Sequence, residues 1–337
     1  MYKKIFYILL TSLFLIIPLY AQEEIKEDAY TIPGYTQEEL EDETDAIPYY
    51  TQEEPEDDID SLPNYTMEEL MGMKSPYIEP FRNKFSLSLS IYKSSLFLEQ
   101  VHNDNSEESY KSNSPLEVGL GFLYGNIGLG FSTQTNLLYD SDHAKTETQE
   151  LRLNYYTKAA VFEFQMKDYK GFHPDSNKDT DLEMQCIGLF GQYIWNSDEY
   201  SWRAAFGLYE KQVRSAGSLL LGGNVFYIKT ERQLPETYEK KYILATPNIG
   251  YGYTWVYDRN LFLGLSLSVG AGIAHEQNDK KYYAAATNSF LTSTGYHWGD
   301  VSFMISCKMD GTVIVIDSDK YDSNINFLTQ CSVAKRF

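Results

Sequence analysis

Between Leu261 and Ala274 the chain changes character at every residue. Leu261, Leu263, Leu265, Leu267, Val269, Ala271 and Ile273 fall on one face; Phe262, Gly264, Ser266, Ser268, Gly270, Gly272 and Ala274 fall on the other. Successive side chains of a β-strand point to opposite sides, so this period specifies a strand with one apolar face and one mostly small or weakly polar face. The pattern recurs. Phe85, Leu87, Leu89 and Ile91 alternate with serines; Ile127, Leu129 and Phe131 with Gly128, Gly130 and Ser132; Phe162, Phe164 and Met166 with Glu163, Gln165 and Lys167; and Ile249 to Tyr257 with Gly250, Gly252 and Thr254. No amphipathic helix competes with it.

Residues 1–21 supply the compartment. Lys3 and Lys4 precede an apolar run from Ile5 to Leu19 and a small residue, Ala21. This order reads as a secretory signal cleaved near Ala21. An exported chain of alternating strands has two architectures open to it: a soluble sandwich or solenoid whose apolar faces meet, or a closed membrane barrel, apolar toward lipid and polar or small within. Aromatic residues make up 15% of the chain, with 29 tyrosines, as suits rings lining a membrane–water boundary.

Connection lengths favour the barrel. Short connections are expected near Gly125, Thr157-Lys158, Asn196 to Glu199, Gly222-Gly223, Asp258 to Asn260 and His297 to Asp300. Longer polar ones are expected at 103–114, 135–146, 169–181, 209–214, 231–241, 277–283 and 317–322. Alternating short periplasmic turns and long external loops mark an outer-membrane barrel. The expectation is an all-β antiparallel barrel of 14 strands over 83–337, with 12 as second choice, both termini being periplasmic. The count of 14 requires Gly222-Gly223 to be a two-residue hairpin turn. The end, Lys335-Arg336-Phe337, resembles the C-terminal signal read by the barrel-insertion machinery, although Lys335 stands where that signal has an apolar residue.

Net charge is −20, but residues 22–73 hold 18 acidic residues against one base, Lys26, and so carry −17 themselves. Residues 22–82 read as a disordered acidic arm, too polar to pack a core. A 15-residue unit repeats in it: Ile32-Pro33-Gly34-Tyr35-Thr36, Ile47-Pro48-Tyr49-Tyr50-Thr51 and Leu62-Pro63-Asn64-Tyr65-Thr66, each followed by acidic residues. Tyr35, Tyr50 and Tyr65 are candidate docking residues for a periplasmic protein partner. The acidity argues against nucleic acid, whose phosphates need clustered Lys and Arg.

Several segments together resemble a known family. They are Asn113-Ser114-Pro115-Leu116-Glu117-Val118-Gly119-Leu120-Gly121-Phe122, Tyr169-Lys170-Gly171-Phe172, Tyr200-Ser201-Trp202-Arg203-Ala204-Ala205-Phe206, Ser215 to Gly223, and Pro247-Asn248-Ile249-Gly250-Tyr251-Gly252-Tyr253. In this order they resemble a family of exported proteins called domain of unknown function DUF4421, over roughly residues 84–337. The resemblance implies an outer-membrane β-barrel of Gram-negative bacteria, carries no assigned activity and transfers no catalytic residue.

The search for chemistry is sparse. The histidines 102, 143, 173, 275 and 297 show no metal-ligand spacing, so neither metal nor cofactor is expected. A lipid hydrolase would need a Ser/His pair, for which Ser94 or Ser95 could be imagined, but nothing marks them, and no enzyme is expected. Cys307 and Cys331 fall on the apolar faces of neighbouring strands and Cys186 begins another strand; a disulfide between the first two depends on register. Arg152, Glu163, Lys167, Arg203 and Glu117 are the candidate lumen-lining residues, with Arg214 and Glu210 beside them. They would form either a charge network filling the barrel or a solute-selecting constriction. Three functions follow: a pore or transport barrel in contact with outer-membrane lipid, an anchor whose arm docks a partner, or a lipid-modifying enzyme.

Overall fold

In the computed structural model, the structure describes residues 77–101, 107–139, 145–174, 182–232, 237–258, 260–317 and 320–337. The signal segment, the repeats with Tyr35, Tyr50 and Tyr65, and His102 and His143 lie outside the described residues. The strands are β1 (Ile78–Pro80), β2 (Phe85–Val101), β3 (Glu107–Ser112), β4 (Leu116–Tyr124), β5 (Ile127–Gln134), β6 (Glu147–Tyr156), β7 (Ala160–Lys170), β8 (Phe172–Pro174), β9 (Glu183–Ile194), β10 (Glu210–Gln212), β11 (Ala216–Arg232), β12 (Tyr238–Val256), β13 (Leu261–Glu276), β14 (Lys281–Trp298), β15 (Val301–Asp317) and β16 (Lys320–Arg336). Among the described residues there is one short helix, α1 (Trp202–Gly207), which precedes β10. No helix among the described residues is long and apolar enough to cross a membrane.

Twelve strands close on themselves: β2, β4, β5, β6, β7, β9 and β11 to β16 pair in sequence order, all antiparallel. The seam joins β16 to β2, from Asp322 opposite Gln100 to Arg336 opposite Ser86. Phe85 and Phe337 meet across it at 5.8 Å, and Phe97 and Phe327 at 6.0 Å. Closure leaves no strand edge unpaired, which is what lets a sheet sit in hydrocarbon. The alternation orients the wall as expected: on β13, Phe262 is 2% exposed while Ile273 is 55% exposed. Tyr124, Tyr155, Tyr193, Trp195, Tyr257, Tyr296, Trp298 and Phe337 project outward around the end that holds Phe85 and Phe337, an aromatic girdle at one interface.

The expected count of 14 is corrected to 12, and both surplus strands arise in one region. Gly222 and Gly223 do not turn. They lie inside β11, facing Asn248 and Pro247 on β12 and Gln192 and Gly191 on β9. A two-residue hairpin needs φ above zero; Gly125 and Gly299, at 58° and 56°, have it at true turns, and neither Gly222 nor Gly223 does. Residues 200–208 are not a strand either, because Trp202–Gly207 is helical.

At the far end of the barrel, β3 pairs with the outer half of β2 on one side and with β8 on the other. It thereby bridges over the short strands β4, β5 and β6. Beneath it Leu96, Leu98, Tyr110, Tyr169, Phe172, Leu182, Met184 and Ile228 form an apolar cluster inside the barrel.

Candidate functional site in the barrel lumen

The connection from β9 to β11, about twenty residues long, does not stay outside the barrel. Ser201 starts α1 as its N-cap, its Oγ accepting from Ala204 N at 3.1 Å and donating to the buried carboxylate of Glu210. Leu208, in the left-handed region at φ 59°, ends the helix. Then β10 pairs with β1, Ile78 opposite Gln212 and Pro80 opposite Glu210, so the chain just before the barrel and the connection after β9 form one small unit. Gln212 locks it, donating to Glu199 O at 2.5 Å and Arg214 O at 3.0 Å and accepting from Ser201 N at 3.0 Å.

This unit fills the terminal end of the lumen as a plug. Leu208 packs with Phe262, Met304 and Ala334 from three strands of the wall. Tyr200 clusters with Ile194, Ala216 and Leu220. Ser293 Oγ donates to Ala205 O at 2.5 Å. Inward glycines of the wall make the room: a Cβ on Gly264 would lie 3.3 Å from the Ala205 Cβ, one on Gly128 3.6 Å from the Tyr209 hydroxyl, and one on Gly252 would meet the Tyr200 ring. Burial raises the phenol pKa of both Tyr200 and Tyr209, keeping them protonated within the plug.

Above the plug lies a cavity of about 260 Å³. Arg152, Glu163 and Lys167 line it. They are inward because β6 and β7 face the lumen at even and odd positions respectively, and their register sets Glu150 opposite Lys167. Arg152 Nη2 donates to Glu150 Oε1 at 2.5 Å, Arg152 Nε lies 3.9 Å from Glu163, and Lys167 Nζ lies 3.5 Å from Glu150. Elsewhere on the wall Lys308 pairs with Asp310 at 2.9 Å, and Ser289 Oγ donates to the same carboxylate at 2.7 Å. Among the described residues, every cation lining the chamber therefore has a carboxylate beside it, as charge out of bulk water requires.

Glu117 is inward and 4% exposed but sits beside the cavity, its two oxygens accepting from Ser94 and Ser132 at 3.0 Å each. Arg203 belongs to the plug rather than to a wall strand. It donates to Gly125 O at 3.2 Å and lies over the Tyr156 ring at 5.5 Å. Glu210 and Arg214 are also plug residues, the latter over the Tyr77 ring at 5.7 Å. Sequence reasoning passed over Glu150, Lys308 and Asp310, although each shares the inward parity of its strand. It also passed over the carboxamides that line the chamber. The plug carried a signal too: Trp202-Arg203-Ala204-Ala205-Phe206 breaks the period of two directly after a capping serine.

Toward the far end the chamber continues into a space of about 30 Å³, sharing Met184, Ile228, Thr312 and Asn324 with it. Lys240 and Asp322 pair there at 2.8 Å, Tyr242 donates to Asp322 at 2.7 Å, and Gln100 donates to Tyr238 at 3.0 Å. Leu98, Leu182, Ile228 and Ile314 line the same space, so this neck is mixed, with a few polar pairs set among apolar side chains.

The serines and histidines that hydrolysis would draw on are placed as follows. Ser94 is bound to Glu117, and Ser95 lies opposite Phe327 on the outward parity. His297 Nδ1 and Ser302 Oγ are 2.7 Å apart, but Arg336 also donates to that Oγ at 2.7 Å and both side chains are buried away from the chamber. The His275 and Tyr282 rings lie 4.6 Å apart, tilted by 44°. The three cysteines are free; Cys307 and Cys331 are exposed on the outer face, whereas Cys186 faces the lumen because β9 turns its even positions inward.

A closed antiparallel barrel with an apolar outer belt, an aromatic girdle and a polar interior defines the class: a β-barrel of the outer-membrane type. The model of the family described as domain of unknown function (DUF4421) matches residues 74–329, and the chain belongs to that family. No curated protein matches. Among solved structures, the chain is similar to the outer membrane protease OmpT from Escherichia coli, with 10% identity and a TM-score of 0.38 over 79% of this chain and 100% of that one. It is also similar to the COG4313 outer membrane channel from Pseudomonas putida F1 (11%, 0.37, 77% and 97%) and to the CymD monoaromatic hydrocarbon channel (9%, 0.28, 76% and 89%).

Proposed function

We propose that this protein is an outer-membrane barrel that admits a small solute from the outside into its lumen and releases it to the periplasm when the plug yields. The observation that carries this reading is the chamber itself, walled by paired charges and floored by a connection rather than by the wall. A barrel serving only as an anchor needs no such cavity. In this reading the signal ends near Ala21, the strand ending at Phe337 engages the insertion machinery, Arg152, Glu163 and Lys167 line the path, and Arg203 holds the plug.

Conductance in a planar bilayer tests it. The full chain should give few openings, and a variant in which residues 197–213 are replaced by a short Gly/Ser turn should give large, frequent steps. A folded, inserted variant that stays silent would remove the proposal.

A second reading, an anchor whose acidic arm docks a periplasmic partner through Tyr35, Tyr50 and Tyr65, has one observation in its favour. The last residues of the 22–82 arm are ordered and held to the barrel, with β1 on β10 and the Arg336 guanidinium 3.6 Å over the Phe81 ring. Deleting residues 22–73 separates the two: a transport barrel keeps its conductance, and an anchor loses a co-purifying protein.

A further inference from the structure

The solute class can be read from the chamber wall, granted that the chamber is a solute site. Its charges offer little to an ion. Arg152 and Lys167 share Glu150, and Lys308 holds Asp310, so an incoming anion would have to displace a carboxylate from its partner and leave that carboxylate unpaired in a confined space.

What the wall offers in quantity is carboxamide. Gln165, Gln192, Asn224, Asn288, Asn326 and Gln330 all reach the cavity. Each carboxamide presents donors and an acceptor side by side, the complement of a hydroxyl group, which is both. Some are occupied: Gln330 Nε2 donates to Ser332 at 2.6 Å and Ser90 at 3.2 Å. Gln192 lies at the chamber edge, 2% exposed, with no protein partner for its Nε2 or its Oε1, and Asn326 Oδ1 likewise has no protein partner. Leaving such atoms unpaired is costly, and a small shift of either side chain into the chamber would let a hydroxyl there pair with it.

The floor adds an apolar platform. Trp202 and Phe206 of α1 meet at 4.7 Å, with Phe190 6.4 Å from Trp202, and all three line the chamber. The electron-rich face of such rings packs well against weakly positive C–H groups. A hydrocarbon would satisfy the rings and strand the carboxamides; an inorganic anion would do the reverse. A volume of about 260 Å³ is just below the range of roughly 300–1,000 Å³ for pockets that take drug-sized ligands.

From these features we infer that the chamber binds an uncharged, polyhydroxylated molecule the size of a single sugar ring, its hydroxyls on Gln192 and Asn326 and its ring face over Trp202. The full-length protein in lipid nanodiscs allows a direct test through tryptophan fluorescence, with glucose, galactose, gluconate, inorganic phosphate and toluene as probes. Glucose or galactose should give a saturable change that disappears in Trp202→Phe, which keeps Trp195, Trp255 and Trp298. Gln192→Leu and Asn326→Leu should each weaken binding about tenfold or more while the proteins still migrate as folded barrels, and phosphate should not compete. Saturable binding of phosphate, gluconate or toluene without sugar binding would overturn the inference, as would a flat response to every probe. Sugar binding without flux through the plug-replaced barrel would instead sink the transport reading and leave this one standing. Flux of all small solutes in order of size, with no saturable signal, would do the opposite.

Discussion

Arg152 shows how a single residue is constrained inside this barrel. It enters the lumen on a strand that offers no choice of side, and Glu150 and Glu163 flank its guanidinium charge there. Replacing it with Met keeps most of the volume and leaves Glu150 with Lys167 alone. Breaking a fully buried pair costs roughly 3–5 kcal/mol; with about a quarter of the Arg152 side chain exposed, the expected loss is about 2 kcal/mol. Urea unfolding of Arg152→Met in micelles, followed by fluorescence, checks this. A midpoint equal to that of the parent protein would mean that the ion pairs contribute nothing. The inward glycines belong to the same scale. Their value could not be read from periodicity, since an absent side chain looks identical whether it leaves an open channel or makes room for another residue. Gly264 beside Ala205 makes room.

At the level of elements, the plug and β11 hold the lesson. Ser201→Ala removes the cap of α1 and a partner of Glu210, which should cost about 1 kcal/mol. The loss falls on the plug and not on the wall. Openings in a bilayer should become more frequent by severalfold while the global unfolding midpoint changes little; a lowered midpoint with unchanged gating would assign α1 to the stability of the barrel instead. The sequence reading counted two strands too many here because composition at Gly222-Gly223 suits a turn, and because Tyr200 to Phe206 was placed in the wall. Whether a glycine pair turns depends on its partners. Pairing with Asn248 and Gln192 on either side keeps Gly222 extended.

For the molecule as a whole, the apolar belt and the closed seam decide where it can exist. Leu265 lies on the outward parity of β13, paired with Tyr253 and Thr292 on the adjacent strands. Arg at a barrel's lipid-facing midplane costs about 2–4 kcal/mol, so Leu265→Arg should lower the folded fraction in lipid vesicles. Ser266→Asn, pointing inward, should not. Equal tolerance of both would place those leucines against something other than lipid. The same parity predicts that a hydrophobic maleimide in vesicles labels Cys307 and Cys331 and spares Cys186, whose thiol faces the lumen.

The sequence alone determined what is local: most of the wall strands, which face of each is apolar, and, through the alternation of short and long connections, the expectation of a closed barrel. Side-chain direction along a strand alternates without regard to the rest of the fold, so Arg152, Glu163, Lys167 and Glu117 could be assigned inward from their neighbours in sequence. The tertiary structure decided the number of strands, the seating of α1 and β10 in the lumen, the role of Arg203 and the chamber that remains above them. Each of these depends on contacts between residues far apart in the chain, such as Ala205 with Ser293 or Leu208 with Ala334. A period of two does not encode what fills the space it encloses.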